Sequence, residues 1–284
     1  MKVINQFSAQ AAMDGDGVNI RRVADFTRTQ FDPFLMLDEI KSDDEQDFIG
    51  GFPPHPHRGI ETFTYIRKGG FEHRDQMGNV KAIRATDVQW MSTGYGVVHS
   101  EMPLADAADG LHGFQIWVNM PAKDKLRPAI YQDSTQVRNP EMSNDTGATL
   151  RALAGDWQFV GGQSISAPIQ GLAGEALIAD LMLAPKGSAQ LSLSHREYAG
   201  LYIYRGSLHT ADNKYGEGEY LIVDSQILLS LQSGETSAGV LLFAGQPIRE
   251  TIVHMGPFVM NTQAEIQQAI VDYQVGRLGS INPN

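Results

Sequence analysis

The sequence predicts an all-β protein in two halves, each a sandwich or barrel, closed by one short helix. Three observations lead there. Short runs of β-favouring residues recur along the chain, separated by glycine-, proline- and asparagine-rich turns. The second half repeats the style of the first, in ALIADLMLA, GLYIYRGSL, YLIVDSQILL and GVLLFAG, which suggests an internal duplication. A helical period with a start signal is read near the end, after Thr262.

In chain order, DGDGVNI reads as a turn entering a strand, and IRRVADF continues it. Asp32-Pro33 is a turn signal before the apolar run FLMLDEI, and KSDDEQDFIGG is an acidic surface loop. From His55 the odd positions run His55, His57, Gly59, Glu61, so an unbroken strand would put Glu61 on the histidine face, unless Gly59 bends the chain. Pro56 has no N–H for a ladder, which places this stretch at a sheet edge or bulge. Lys68-Gly69-Gly70 turns the chain, FEHRD is a short strand, MGN a tight turn, and VKAIRATDVQWM resumes the β pattern. LHGFQIWVNMP is a strong strand. The polar stretch 133–149, broken by proline and glycine, marks the boundary between an N-terminal domain, 1–135, and a C-terminal domain, 150–284. Thr262 and Glu265 fit a capping box, Ile266, Ile270 and Tyr273 form the helical stripe, and Gly276 ends it.

Composition limits the function classes. The 284 residues suit two domains of about 100–150 residues. There is no cysteine, which removes disulfides, thiolate ligands and a cysteine nucleophile together. Net charge is -11 and the sequence pI near 5.1, a surface that repels phosphate backbones and disfavours direct nucleic-acid binding. The N-terminus MKVINQFSAQ lacks the apolar core of a signal peptide, and no apolar run approaches the roughly 18 residues that span a bilayer. The expectation is a cytoplasmic protein, not bound to membrane.

Two short pairs carry the chemistry: His55 with His57, and His99 with Glu101. In a strand, residues i and i+2 face the same way, so each pair aims two donors at one point. The segment between them is long enough to fold back and bring the pairs together. Three imidazoles and one carboxylate then make a divalent metal site with open positions, as a catalytic or redox centre requires. His195, His209 and His254 stand apart with no such partner, so the second half is expected to carry no comparable site. Phe52, Trp90 and Met91 are candidate walls for a flat aromatic ligand, although ordinary core packing explains each equally well.

GFPPHPHRGIETFTYI, DVQWMSTGYGVVHSEMP and HGFQIWVNMP resemble the pirin family of the cupin superfamily. The resemblance is dense over about residues 30 to 130 and returns in GPFVMNT and the GRLG tail. It implies two cupin-type β-barrel domains packed face to face, with one metal, usually Fe(II), in the N-terminal barrel. Other divalent transition metals suit the same donors. The family's ligands carry over onto His55, His57, His99 and Glu101. The general cupin spacing would instead make Glu61 the carboxylate ligand; the pirin pattern points to Glu101 and leaves Glu61 in a supporting or pocket-lining place. The implied activity is quercetin 2,3-dioxygenase chemistry, with a flavonol and O2 as substrates and Glu101 taking the substrate proton. The alternative implied by the family is an iron-dependent, redox-sensing binding protein that modulates a protein partner, either as a transcriptional cofactor or as a regulator of a metabolic enzyme.

Overall fold

Backbone pairing in this chain joins segments far apart in sequence, and the two units it builds are interleaved. The structure, a computed structural model, describes residues 1–26, 29–107, 109–210 and 212–281. One unit comprises Ala11–Gln30, Phe34–Arg138 and Ile248–Asn284; the other comprises Met1–Gln10, Phe31–Pro33 and Asn139–Pro247. The division therefore differs from the contiguous 1–135 and 150–284 expected from the polar stretch. Strand Val3–Ser8 pairs with Glu219–Val223, and the last helix packs its Ile266 and Ala269 with Val98. Neither long-range pairing leaves a mark in local composition.

In the histidine-bearing unit, a seven-stranded sheet runs in the order Ile130–Asp133, Val88–Ser92, Ile60–Lys68, Leu111–Asn119, Phe34–Ser42, Val18–Ala24, Gln10–Asp14. A four-stranded sheet runs Phe52–His57, Val97–Pro103, Gly70–Asp75, Val80–Arg84. Val18, Ile20, Ile40, Ile66 and Leu111 of the larger sheet share one core with Phe71 and Ile83 of the smaller. Each sheet thus buries its apolar face on the other, as period-two alternation requires.

The second unit repeats this plan, with a seven-stranded sheet in the order Val3–Ser8, Glu219–Val223, Tyr198–Arg205, Ala238–Gly245, Leu177–Leu183, Ala148–Ala154, Glu141–Ser143. In both sheets the strand that leads into the smaller sheet lies third and the strand that returns from it lies fourth. The short pairs Ser188–Leu191 with Leu229–Gln232 and Ser207–His209 with Lys214–Gly216 stand where the four-stranded sheet stands in the first unit. The core here is mostly aliphatic, with Leu150, Leu181, Leu201, Ile203, Leu221 and Leu242 all buried.

Gly59 separates the two strands that an unbroken reading would merge. It has φ +81°, and the chain leaves the four-stranded sheet at His57 and enters the seven-stranded sheet at Ile60. Phe52–His57 is an edge strand, compatible with its prolines. The terminal helix spans Gln263–Gln274, and the Thr262 hydroxyl accepts from the Glu265 N–H at 3.2 Å. Its buried positions are Ile266, Ala269 and Asp272, whereas Tyr273 is 39% exposed. The inward face is rotated from the expected stripe because Asp272, a charged residue, occupies it. Among the described residues no helix is long and apolar enough to cross a membrane.

Candidate metal centre

The adjacent antiparallel strands Phe52–His57 and Val97–Pro103 bring the two sequence pairs together, with His99 directly opposite His55. The donor atoms of His55, His57 and His99 all lie within 4.8 Å of one another. Ring centroids are 4.4 Å apart for His55 and His99, 4.9 Å for His55 and His57, and 5.0 Å for His57 and His99. The Nδ1 of His55 faces the Pro53 carbonyl at 2.8 Å, and that of His57 faces the Pro257 carbonyl at 3.3 Å. A carbonyl accepts only, so each Nδ1 carries the proton and each Nε2 lone pair is left for a metal. Both ring nitrogens of His99 are buried with no hydrogen-bond partner among the described residues. Burial, reinforced by the neighbouring His55, holds His57 and His99 well below the usual histidine range. They are neutral, which is the ligating form.

Glu101 belongs to a second group that shares His99 and adds His73. Its carboxylate is fixed from three sides: Thr64 Oγ1 donates to Oε1 at 2.9 Å, Gln89 Nε2 also donates to Oε1, and Gln115 Nε2 donates to Oε2 at 2.9 Å. His73 lies opposite Glu101 on strand Gly70–Asp75, and its Nε2 meets Asp75 Oδ2 at 3.1 Å. Sequence reading missed Thr64, Gln89, Gln115 and His73. Each is one polar residue in an alternating strand, where it resembles a solvent-facing position.

Glu61 joins neither group. It is fully buried on the seven-stranded sheet, and Arg127 Nη2 lies 3.4 Å from its Oε1. The bend at Gly59 takes it off the histidine strand.

A cavity of about 640 Å³ opens beside His55, His57 and Glu101. Phe26 and His254 stack on its wall at 4.3 Å and 14°, and Trp117 meets Phe26 edge-on at 5.6 Å and His57 at 4.9 Å. Also lining the cavity, Arg22 binds Asp38 through two hydrogen bonds, 2.6 and 2.9 Å, and Asp14 through one of 2.7 Å. Burial raises the Asp38 carboxyl to about 6 against the pull of Arg22. Phe52 lines this cavity; Trp90, Met91 and Glu61 do not. Trp90 and Met91 are buried in strand Val88–Ser92, opposite Phe63 and Thr62, and there they serve packing. The aromatic walls come instead from Phe26, Trp117 and His254, which lie outside the two ligand motifs.

Among the described residues the clustered donor groups belong to the histidine-bearing unit, and the register shows what the second unit carries instead. Its Leu231 lies opposite Ala189 where His99 lies opposite His55, and Leu208 bridges Ser233 where His73 pairs with Glu101. At matched positions one unit carries imidazoles and the other carries core apolar groups.

Two cupin barrels in one chain, one of them holding a convergent set of histidines, define a bicupin. The Pirin family profile matches residues 17–118, and the profile described as Pirin C-terminal cupin domain matches residues 178–279. The chain belongs to the pirin family. It is 47% identical over 94% of both chains to a Vibrio cholerae protein named "Putative quercetin 2,3-dioxygenase", and 36% identical to a pirin-like protein of Caulobacter vibrioides, over 97% of this chain and 98% of that one. The crystal structure of a quercetin 2,3-dioxygenase from Acinetobacter baumannii superposes with a TM-score of 0.87 at 28% identity, covering 99% of each chain.

Proposed function

We propose that this protein is a metal-dependent dioxygenase of the quercetin 2,3-dioxygenase type, cleaving a flavonol with molecular oxygen, with one divalent ion, Fe(II), held by His55, His57, His99 and Glu101. The observation that carries the reading is the convergent histidine trio, in which His57 and His99 are buried and neutral and His99 is left without a protein partner among the described residues. Buried polar groups without partners are rare, and a metal ion satisfies this one. The names of the relatives in Vibrio cholerae and Acinetobacter baumannii support the same chemistry.

When bound, such an ion supplies Lewis acidity and a template for substrate and oxygen. The protein groups do the rest. The Pro53 and Pro257 carbonyls fix the tautomers of His55 and His57. Glu101, at the cavity wall, accepts the flavonol hydroxyl proton, while Thr64, Gln89 and Gln115 keep its carboxylate in place. Phe26, His254 and Trp117 offer faces and edges to a flat ring system, and Arg22 with Asp38 offers donors and acceptors to its hydroxyls. The test is oxygen uptake and loss of flavonol absorbance by protein loaded with Fe(II). Fully loaded protein that consumes neither would reject the enzymatic reading in favour of a metal-dependent binding protein.

A further inference from the structure

The residues that follow the histidine pair are fastened, one after another, to the C-terminal segment. His57 Nδ1 donates to the Pro257 carbonyl, and the Arg58 carbonyl accepts from the Val259 N–H at 3.0 Å. The buried Lys125 ammonium donates to both the Gly59 and the Val259 carbonyls, at 2.7 and 3.0 Å. A Cβ on Gly59 would sit 2.0 Å from the Val259 oxygen, so the closeness of the two segments depends on glycine. The side chain of Arg58 points into the same seam. It is 1% exposed, its Nε donates to the Tyr95 carbonyl, and its Nη2 donates to Asp272 Oδ2 at 2.9 Å. Asp272 is itself 3% exposed and also accepts from Tyr95 Oη, Gln268 and Arg277.

We propose that the C-terminal hairpin and helix hold His57 in its ligating pose, with Asp272 as the positioning residue that acts through Arg58. The proposal rests on the reading of His57 as a metal ligand. Arg58 is the next residue after His57, so the backbone that carries the imidazole is pinned by an ion pair to a helix more than 200 residues further on. A buried pair is held strongly against loss of one partner, because the charge left behind has no water to turn to. Supports of this outer kind change metal affinity by about 10–100-fold when removed. Linkage makes the effect reciprocal: if docking of the helix favours the metal, the metal favours docking of the helix.

The test uses the full-length protein and cobalt(II), whose visible bands report the number and geometry of its ligands. Asp272→Asn is expected to weaken cobalt(II) binding about 10–100-fold in chelator competition and to alter the visible spectrum. The control is Asp180→Asn, which removes a buried carboxylate bonded to Tyr204 in the other unit and is expected to leave both readouts unchanged. Equal affinity and spectrum in Asp272→Asn and wild type, or an equal loss in Asp180→Asn, would overturn the proposal. If Asp272→Asn does not fold, two measurements remain. Tyr95→Phe, which removes one donor to Asp272, should weaken cobalt(II) binding by a few fold. Cobalt(II) added to the wild type should slow amide exchange in helix Gln263–Gln274 more than in the second unit's sheet; equal effects in both would overturn the proposal. Failure of the wild type to bind cobalt(II), or full binding by His57→Ala, would instead overturn the ligand assignment beneath it.

Discussion

Glu61, on the seven-stranded sheet rather than on the histidine strand, forms a partly buried ion pair with Arg127, whose Nη2 lies 3.4 Å from its Oε1. The two candidate carboxylates should therefore separate on mutation. Glu61→Gln is expected to lower stability by about 1–3 kcal/mol and to leave metal content unchanged. Glu101→Gln is expected to reduce flavonol turnover by about 10²–10⁴-fold at matched metal content. Thermal melts, elemental analysis and turnover on the same preparations decide between them. Loss of the metal in Glu61→Gln with Glu101→Gln fully active would reverse the assignment.

Metal content should be one divalent ion per chain, and it should depend on the trio. His57→Ala is expected to bring it close to zero in washed protein, while His195→Ala, an exposed residue of the second unit, should retain it. Elemental analysis of both variants checks this; similar loss in each would contradict the site.

Gly59→Ala should destabilise the fold beyond the usual cost of a side chain in left-handed backbone, about 1–2 kcal/mol, because the new methyl also meets the Val259 carbonyl. Urea melts provide the measurement, and a change below about 0.5 kcal/mol would show that the seam yields easily.

The acid limb of stability should carry the signature of Asp272. Burial alone would raise its carboxyl, but the donors Arg277, Gln268 and Arg58 outweigh it and hold the group at about 2, below the ordinary 3.8. A depressed folded value means that the contribution is complete above the unfolded pKa and is lost as pH falls through the folded one. Wild-type apo-protein should therefore lose stability between about pH 4 and 2 more steeply than Asp272→Asn. Parallel curves for the two proteins would show that Asp272 does not contribute in this window.

The convergence of His55, His57 and His99 was legible because its signal is local: two residues at i and i+2 on a strand share a face whatever the fold. The strands themselves were legible for the same reason. What supports the site was not. Gln89 and Gln115 are read as ordinary polar alternation until the barrel closes around Glu101. Asp272 sits in a helix whose apolar period suggested a stripe through Tyr273, and only the distant Arg58 explains a carboxylate on the inward face. The break at Gly59 was visible as a glycine, but its consequence for Glu61 depends on which sheet the chain enters next. The exchange of terminal segments between units depends on pairings such as Val3 with Val223, which composition cannot encode.

The carbonyl that orients His57 belongs to Pro257, more than 150 residues after His99. At ribosomal rates of about 5–20 residues per second, the three histidines are synthesised roughly 10–30 s before that carbonyl exists. A nascent chain in that interval presents imidazoles without the group that fixes the tautomer of His57. The group that orients His57 is thus made long after the imidazole it orients, and the order in which the cell makes the residues is not the order in which the cluster is completed.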